Sequence, residues 1–203
     1  MSTSKPKQRS GRRPRTQFER HFIDGEGKAD KKFLGYLKML YRNQQTTISV
    51  TIGRAYVEGN GGSSYDVVLK AARVACKDYD KLYVLLDSDI LTNSCDEIID
   101  LVKKSRGAKS LGLHSLKAGT YSCIIAIPCL EGLLLSLLGE TPPHDTAQCK
   151  RRFQELIGKE AHKLNDRDWE KHFPKDLIEQ KREAIPAINQ LIIAMTDPKK
   201  NIS

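Results

Sequence analysis

Lys81-Leu82-Tyr83-Val84-Leu85-Leu86-Asp87-Ser88-Asp89 is an apolar run with no breaker that ends abruptly in two acids. An apolar run of this length between helical patterns reads as a strand buried on both faces of a parallel sheet. Asp87 and Asp89 then stand at its carboxyl end, where open α/β sheets place their ligands, and residues two apart on an extended chain point the same way. Two carboxylates so placed are a candidate Mg²⁺ site, since that hard cation takes oxygen ligands from one or two carboxylates, from waters and from substrate phosphates. The competing reading is a strand-to-loop transition in which an aspartate caps the next helix.

Working outward, His21-Phe22-Ile23-Asp24 is a second strand that runs into Gly25-Glu26-Gly27-Lys28. Glu26 therefore follows a different strand in a turn whose glycines permit close approach. If the two strands are neighbours, Glu26 is a ligand to a second ion or the general acid/base, and Lys28 beside it is a point-charge clamp for phosphate. Glu131 follows the strand that ends at Ala126-Ile127-Pro128 and opens a very apolar helix, either as an auxiliary ligand or as a complement to the helix dipole. The stretch from Gly59 to Ser64 offers a phosphate cradle or a plain flexible loop, and it lacks both the P-loop ending and the G-x-G-x-x-G pattern. His114 and Lys117 belong to a segment expected to approach the same end of the sheet.

Hydrophobic periodicity predicts strands over 20–24, 47–56, 82–86, 110–114 and 121–127, with helices over 29–42, 65–77, 96–105 and 130–138. Asp30 serves the first of these helices near its start. Alternating strands and helices require crossover connections and predict an α/β fold, a mainly parallel sheet flanked by helices. Beyond a Pro-rich linker at 141–144, charged helices over 147–157 and 174–195 form a C-terminal helical extension, the last one kinked or divided by Pro186. Three parts are expected: a basic arm over 1–16, a catalytic domain over 17–140, and the extension over 141–203 packed on it.

The chain of 203 residues carries a net charge of +9, and six of its positive charges fall in residues 1–16, which hold no acid. That arm, with Arg9, Arg12, Arg13 and Arg15 at its centre, is too polar to fold alone; it is a nucleic-acid-binding tail or a solvated one. No apolar stretch is long enough to span a bilayer and no signal-peptide core follows the basic start, so a soluble, cytoplasmic protein with no membrane partner is expected. The five cysteines, at 76, 95, 123, 129 and 149, show no C-x-x-C spacing and are expected to be reduced thiols.

Three motifs in order, Phe22-Ile23-Asp24-Gly25-Glu26-Gly27, then Leu85-Leu86-Asp87-Ser88-Asp89, then Ile127-Pro128-Cys129-Leu130-Glu131-Gly132, resemble the RloB-like branch of the Toprim superfamily. That superfamily includes topoisomerase and primase catalytic domains and the nuclease domains of OLD-type proteins. The resemblance implies a Toprim-like sheet, with the superfamily's glutamate at Glu26 and its D-x-D acids at Asp87 and Asp89. Pro128 and Glu131 match a branch hallmark in which a proline and a glutamate open an apolar helix. The chain differs from the pattern at Ile127 and Leu130, where an asparagine and an aromatic are usual, and at Ala29-Asp30 after Lys28. Members act in bacterial and phage conflict systems, often beside an ATPase, which implies such a partner subunit here.

The expected activity is thus Mg²⁺-dependent hydrolysis of phosphodiesters in DNA or RNA, with Mn²⁺ as a substitute, by a nuclease that serves as a defence effector. Asp87 and Asp89 would bind the ion, Glu26 would bind a second or move the proton, Glu131 would assist, and Lys28 and Lys117 would meet the substrate phosphate. The rival expectation is a non-catalytic nucleic-acid-binding or regulatory subunit of an ATPase-containing complex. Both readings accommodate a homo-oligomer.

Overall fold

The computed structural model describes residues 18–45, 47–53, 64–90, 94–104 and 120–197. The arm with Arg9, Arg12, Arg13 and Arg15, residues 59–63 of the glycine-rich turn, the strand expected over 110–114, His114 and Lys117 all lie outside the described residues.

Four strands, β1 (Glu19–Gly25), β2 (Ile48–Ile52), β3 (Lys81–Asp87) and β4 (Tyr121–Ala126), pair in parallel throughout in the order β2-β1-β3-β4. Three helices make the crossovers: α1 (Lys28–Tyr41), α2 (Ser64–Asp78) and α3 (Cys95–Lys104). Residues 82 to 86 of β3 are each at most 3% exposed, so this strand is covered on both faces as its unbroken apolar run requires. Tyr83 and Leu85 face the core beneath α1, whereas Leu82, Val84 and Leu86 face α2 and α3. The two-residue period of the strand separates the two sets.

The strand order places the candidate acids together. From β1 the chain winds outward to β2, then crosses back over β1 to β3 and continues to β4. The direction of winding reverses between β1 and β3, and the carboxyl ends of these neighbours flank the crevice in which such sheets bind ligands. In their register Gly25 lies opposite Leu85. Glu26 and Asp87 thus leave the sheet side by side.

Past β4 come α4 (Leu130–Leu137), α5 (Thr146–Ile157), a 3-10 turn at Ala161–Lys163, α6 (Asp166–His172), α7 (Lys175–Lys181) and α8 (Pro186–Thr196). The helix expected over 174–195 is two helices: Pro186 opens α8, where its missing N–H is harmless. Helix α6 was hidden in the sequence because it is short and charged; Asn165 and Asp168 cap it reciprocally, each side chain accepting the other's backbone N–H at 3.0 Å. These helices share one continuous core with the sheet. Trp169, Phe153, Phe173 and Leu191 belong to the same buried cluster as Ile23, Phe33 and Tyr83. Tyr36 donates its hydroxyl to the Phe173 carbonyl at 2.7 Å, and the buried His21 Nδ1 lies 2.6 Å from the Ala194 carbonyl oxygen. Full burial of one large apolar side chain contributes about 1.5 to 3 kcal/mol, so the buried side chains of these helices add substantially to the core they share with the sheet.

The expectation of five reduced thiols is corrected by a disulfide. Cys123, which projects from β4 toward the α2 and α3 face, is disulfide-bonded, while Cys129 and Cys149 are free and buried. Sequence spacing is blind to such a bridge because the fold alone brings the partners together. No helix among the described residues is long and apolar enough to cross a membrane.

Candidate active site

Glu26 leaves β1 just before α1 begins, and its Oε1 accepts the backbone N–H of Asp87 at 2.8 Å. Asp87 in turn accepts the backbone N–H of Leu130 through Oδ1 at 3.0 Å. Leu130 is the first residue of α4 and Cys129, its N-cap residue, makes no side-chain cap. Asp87 therefore caps a helix, though not the next one in the chain. One oxygen of each carboxylate is taken up in these bonds, and the capping role of the aspartate is met at α4.

The turn after β3 departs from the period-two expectation. Ser88–Ile90 curls into a 3-10 turn, so Asp89 does not continue along the strand direction. The N–H groups of Ser88 and Asp89 both donate to the Pro128 carbonyl, at 2.9 and 3.3 Å, which clamps this turn to the start of α4. Asp89 is exposed, and its Oδ2 accepts the hydroxyl of Thr146 at the start of α5. Close packing at the α4 start also explains Gly132. A Cβ there would stand 2.7 Å from Pro128 Cδ and 2.8 Å from the Ile127 carbonyl oxygen.

Asp30 joins the group from the first turn of α1. It is 6% exposed and accepts the Gly27 N–H at 2.8 Å, bearing out its expected service to that helix. Gly25 makes room for it, since a Cβ there would come within 2.5 Å of the Asp30 Cβ. Its membership of the acid cluster was missed by sequence reasoning. The available signal was an acid in the first turn of the helix that follows Glu26 directly, where the helix dipole favours negative charge.

Burial is the largest influence on these acids. It pushes Glu26 up to about 7, helped by the negative charges of Asp87 and Asp89 and opposed by the Asp87 N–H and by Lys150. Asp87 is pushed up to about 7 by burial, then by the charges of Asp30, Asp89 and Glu131. Asp30 also stands at about 7, from burial first and from Glu26 and Glu131. Asp24, beneath them on β1, is raised to about 6 by burial. Mutually destabilised carboxylates of this kind favour a cation or a proton among them.

Glu26, Lys28, Asp30, Asp87 and Glu131 line a cleft of about 740 Å³. The same cleft is lined by Lys150, Arg151 and Gln154 of α5 and by Glu160, Ala161 and His162 before and within the 3-10 turn. These residues come from the helical extension, and the sequence reading named none of them as site residues. Of the residues it did name, Glu26, Asp87, Glu131 and Lys28 meet at the cleft. Asp89 sits outside the lining, within electrostatic reach of Glu26 and Asp87.

Among the described residues, no three His, Cys, Asp or Glu side chains stand together as a ready metal-coordinating group. The donors nonetheless suit a hard divalent ion, because all are carboxylates and Mg²⁺ requires only one or two of them beside waters and substrate oxygens. No family model, no curated protein and no solved structure matches the chain.

Proposed function

We propose that this protein is a divalent-metal-dependent phosphodiesterase acting on nucleic acid, a nuclease of Toprim-like type. The observation that carries the reading is the Asp87 N–H bound to Glu26, which couples acids from the ends of β1 and β3 at the point where the winding reverses. The order of the three acid-bearing motifs, from Gly25-Glu26-Gly27 through Asp87-Ser88-Asp89 to Pro128 and Glu131, supports it independently. By the same resemblance the protein is an effector of a bacterial or phage defence system that works beside an ATPase.

In this reading Asp87 and Glu131 hold Mg²⁺ or Mn²⁺, and Asp89 lends its charge from the rim. A bound ion would supply Lewis acidity to the phosphoryl oxygen and a more acidic attacking water. Glu26, with a carboxyl near 7, is matched to giving and taking a proton at neutral pH. The Asp87 N–H fixes the Glu26 carboxylate and leaves its second oxygen for that task. Lys28, on the same wall, meets a substrate phosphate.

One rival is a binding module that keeps the fold without catalysis, in which Asp87 serves as the cap of Leu130. Labelled DNA and RNA incubated with Mg²⁺ or Mn²⁺ separate the two. Cleavage that disappears in Asp87→Ala and Glu26→Ala supports the enzyme, cleavage that persists in both removes the proposed site, and binding with no cleavage by the unaltered chain favours the module.

A further inference from the structure

We propose that α5 is the substrate-holding wall of the cleft, with Lys150 and Arg151 binding the phosphates of a nucleic-acid backbone in the cleft that Glu26 and Asp87 also line. The proposal rests on the reading of those acids as a phosphodiester-cleaving centre, and it turns the helical extension into half of the site.

Helix α5 divides its residues cleanly. Cys149 and Phe153 are buried in the core, while Lys150, Arg151 and Gln154 line the cleft from the adjoining side of the helix. The three neighbouring cations are committed differently. Arg152 is bound to Glu140 at 2.8 Å and approaches Glu155 at 3.8 Å. Lys150 and Arg151 are exposed and belong to no ion pair among the described residues, although Lys150 is near enough to lower the carboxyl pKa of Glu26. An acid cluster by itself repels a phosphate chain, so a substrate carrying negative charge requires cations within the same cleft. Lys150 and Arg151 are the α5 cations that meet this need.

The path continues beyond one phosphate. Arg151 also lines a second, more open hollow of about 390 Å³ with Thr141, Gln148 and the paired Arg152 and Glu155. A polymer leaving the carboxylates along α5 therefore keeps a positive side chain beside it, which suits a nucleic-acid strand better than a free nucleotide. The Thr146 hydroxyl on Asp89 ties the start of this helix to the turn after β3 and sets the two walls in register.

Fluorescence anisotropy of the full chain with a labelled single-stranded oligonucleotide, over a salt series, tests this. Lys150→Gln/Arg151→Gln is expected to bind about tenfold more weakly and to lower the salt slope by about 1.4, the value for two lost phosphate contacts on a single strand. The exchanged pair Lys150→Arg/Arg151→Lys should restore binding, and Arg167→Gln/Lys171→Gln on α6 should leave it unaltered. Affinity and slope unchanged in the glutamine pair overturn the proposal, as does an unaltered chain that binds no oligonucleotide. Cleavage in Mg²⁺ with binding unchanged in the glutamine pair removes the clamp and leaves the catalytic reading. Binding that depends on Lys150 and Arg151 without any cleavage upholds the clamp and removes the catalytic reading.

Discussion

The Asp87 backbone N–H donates to Glu26 Oε1 at 2.8 Å across a sequence separation of 61 residues. One hydrogen bond thereby joins the turn after β1 to the end of β3 and sets a titratable carboxyl at the mouth of the cleft. Because the donor is main chain, the bond depends on Glu26 having an acceptor and not on its charge.

Glu26→Gln and Glu26→Ala should consequently part company. Glutamine keeps the acceptor and the fold but loses the titrating carboxyl, so cleavage fails while the melting temperature holds. Alanine leaves the Asp87 N–H unsatisfied at a part-buried position, at about 1 to 3 kcal/mol. Cleavage assays alongside thermal melting check both, and cleavage by the glutamine variant at the unaltered rate would remove Glu26 from the chemistry.

Stability of the metal-free protein should fall as pH rises from about 5 to about 8. Glu26, Asp30 and Asp87 stand near 7 when folded, above the ordinary carboxylate range, so the folded state holds its protons longer. Their contribution is fully present below the unfolded pKa near 4 and is lost as pH climbs through the folded value. His21 opposes this: burial lowers its pKa, and stability from its neutral form is lost as pH falls below about 6.5. Three acids outweigh one imidazole. Asp30→Asn, which retains an acceptor for Gly27, should flatten the profile; a melting temperature that climbs steadily toward pH 8 in the metal-free chain would contradict the cluster.

A divalent ion should relieve the same repulsion. Mn²⁺ or Mg²⁺ is expected to raise the melting temperature near pH 8 and to do so far less near pH 5, where protons already neutralise the acids. Asp87→Asn should stabilise the metal-free protein by on the order of 1 kcal/mol, keep the Leu130 cap and abolish the metal-dependent increment. An increment undiminished in that variant would place any ion elsewhere.

Gly132→Ala tests the seam between α4 and the Pro128 turn. The added Cβ lies within 2.7 Å of the proline ring, so the helix must move away from the turn that carries Asp87, Ser88 and Asp89. Overpacking of this kind costs about 1 to 3 kcal/mol. Cleavage should fall more than stability does, and a variant with both properties intact would show that the seam tolerates displacement.

Truncation after residue 140 should not yield a folded sheet domain. Trp169, Phe173, Ile188 and Leu191 fill the same cluster as Phe33 and Leu37 of α1, and their removal exposes that face of the sheet. Cooperative melting and native circular dichroism from residues 17–140 alone would show the core to be separable.

Much of the fold was legible locally. The apolar run 82–86 is buried because nothing in it tolerates water. The strand and helix boundaries of β1, α1, α2, α3, β4 and α4 lie within one or two residues of those read from periodicity. The division at Pro186 follows from the chemistry of a single ring. Less of the site was legible. Asp89 was expected to point with Asp87, but the chain leaves the extended conformation at Ser88, and the period-two rule ends with it.

The acids after β1 and β3, the parallel α/β class and the charge of the chain follow from residues and their near neighbours. The strand order β2-β1-β3-β4, the bond from Asp87 to Glu26, the disulfide at Cys123 and the place of Lys150 and Arg151 in the lining of the cleft do not. Those arise only when segments distant in the chain are brought together to bury one shared core. Local pattern specifies which face of each element must be covered, and tertiary packing alone chooses what covers it.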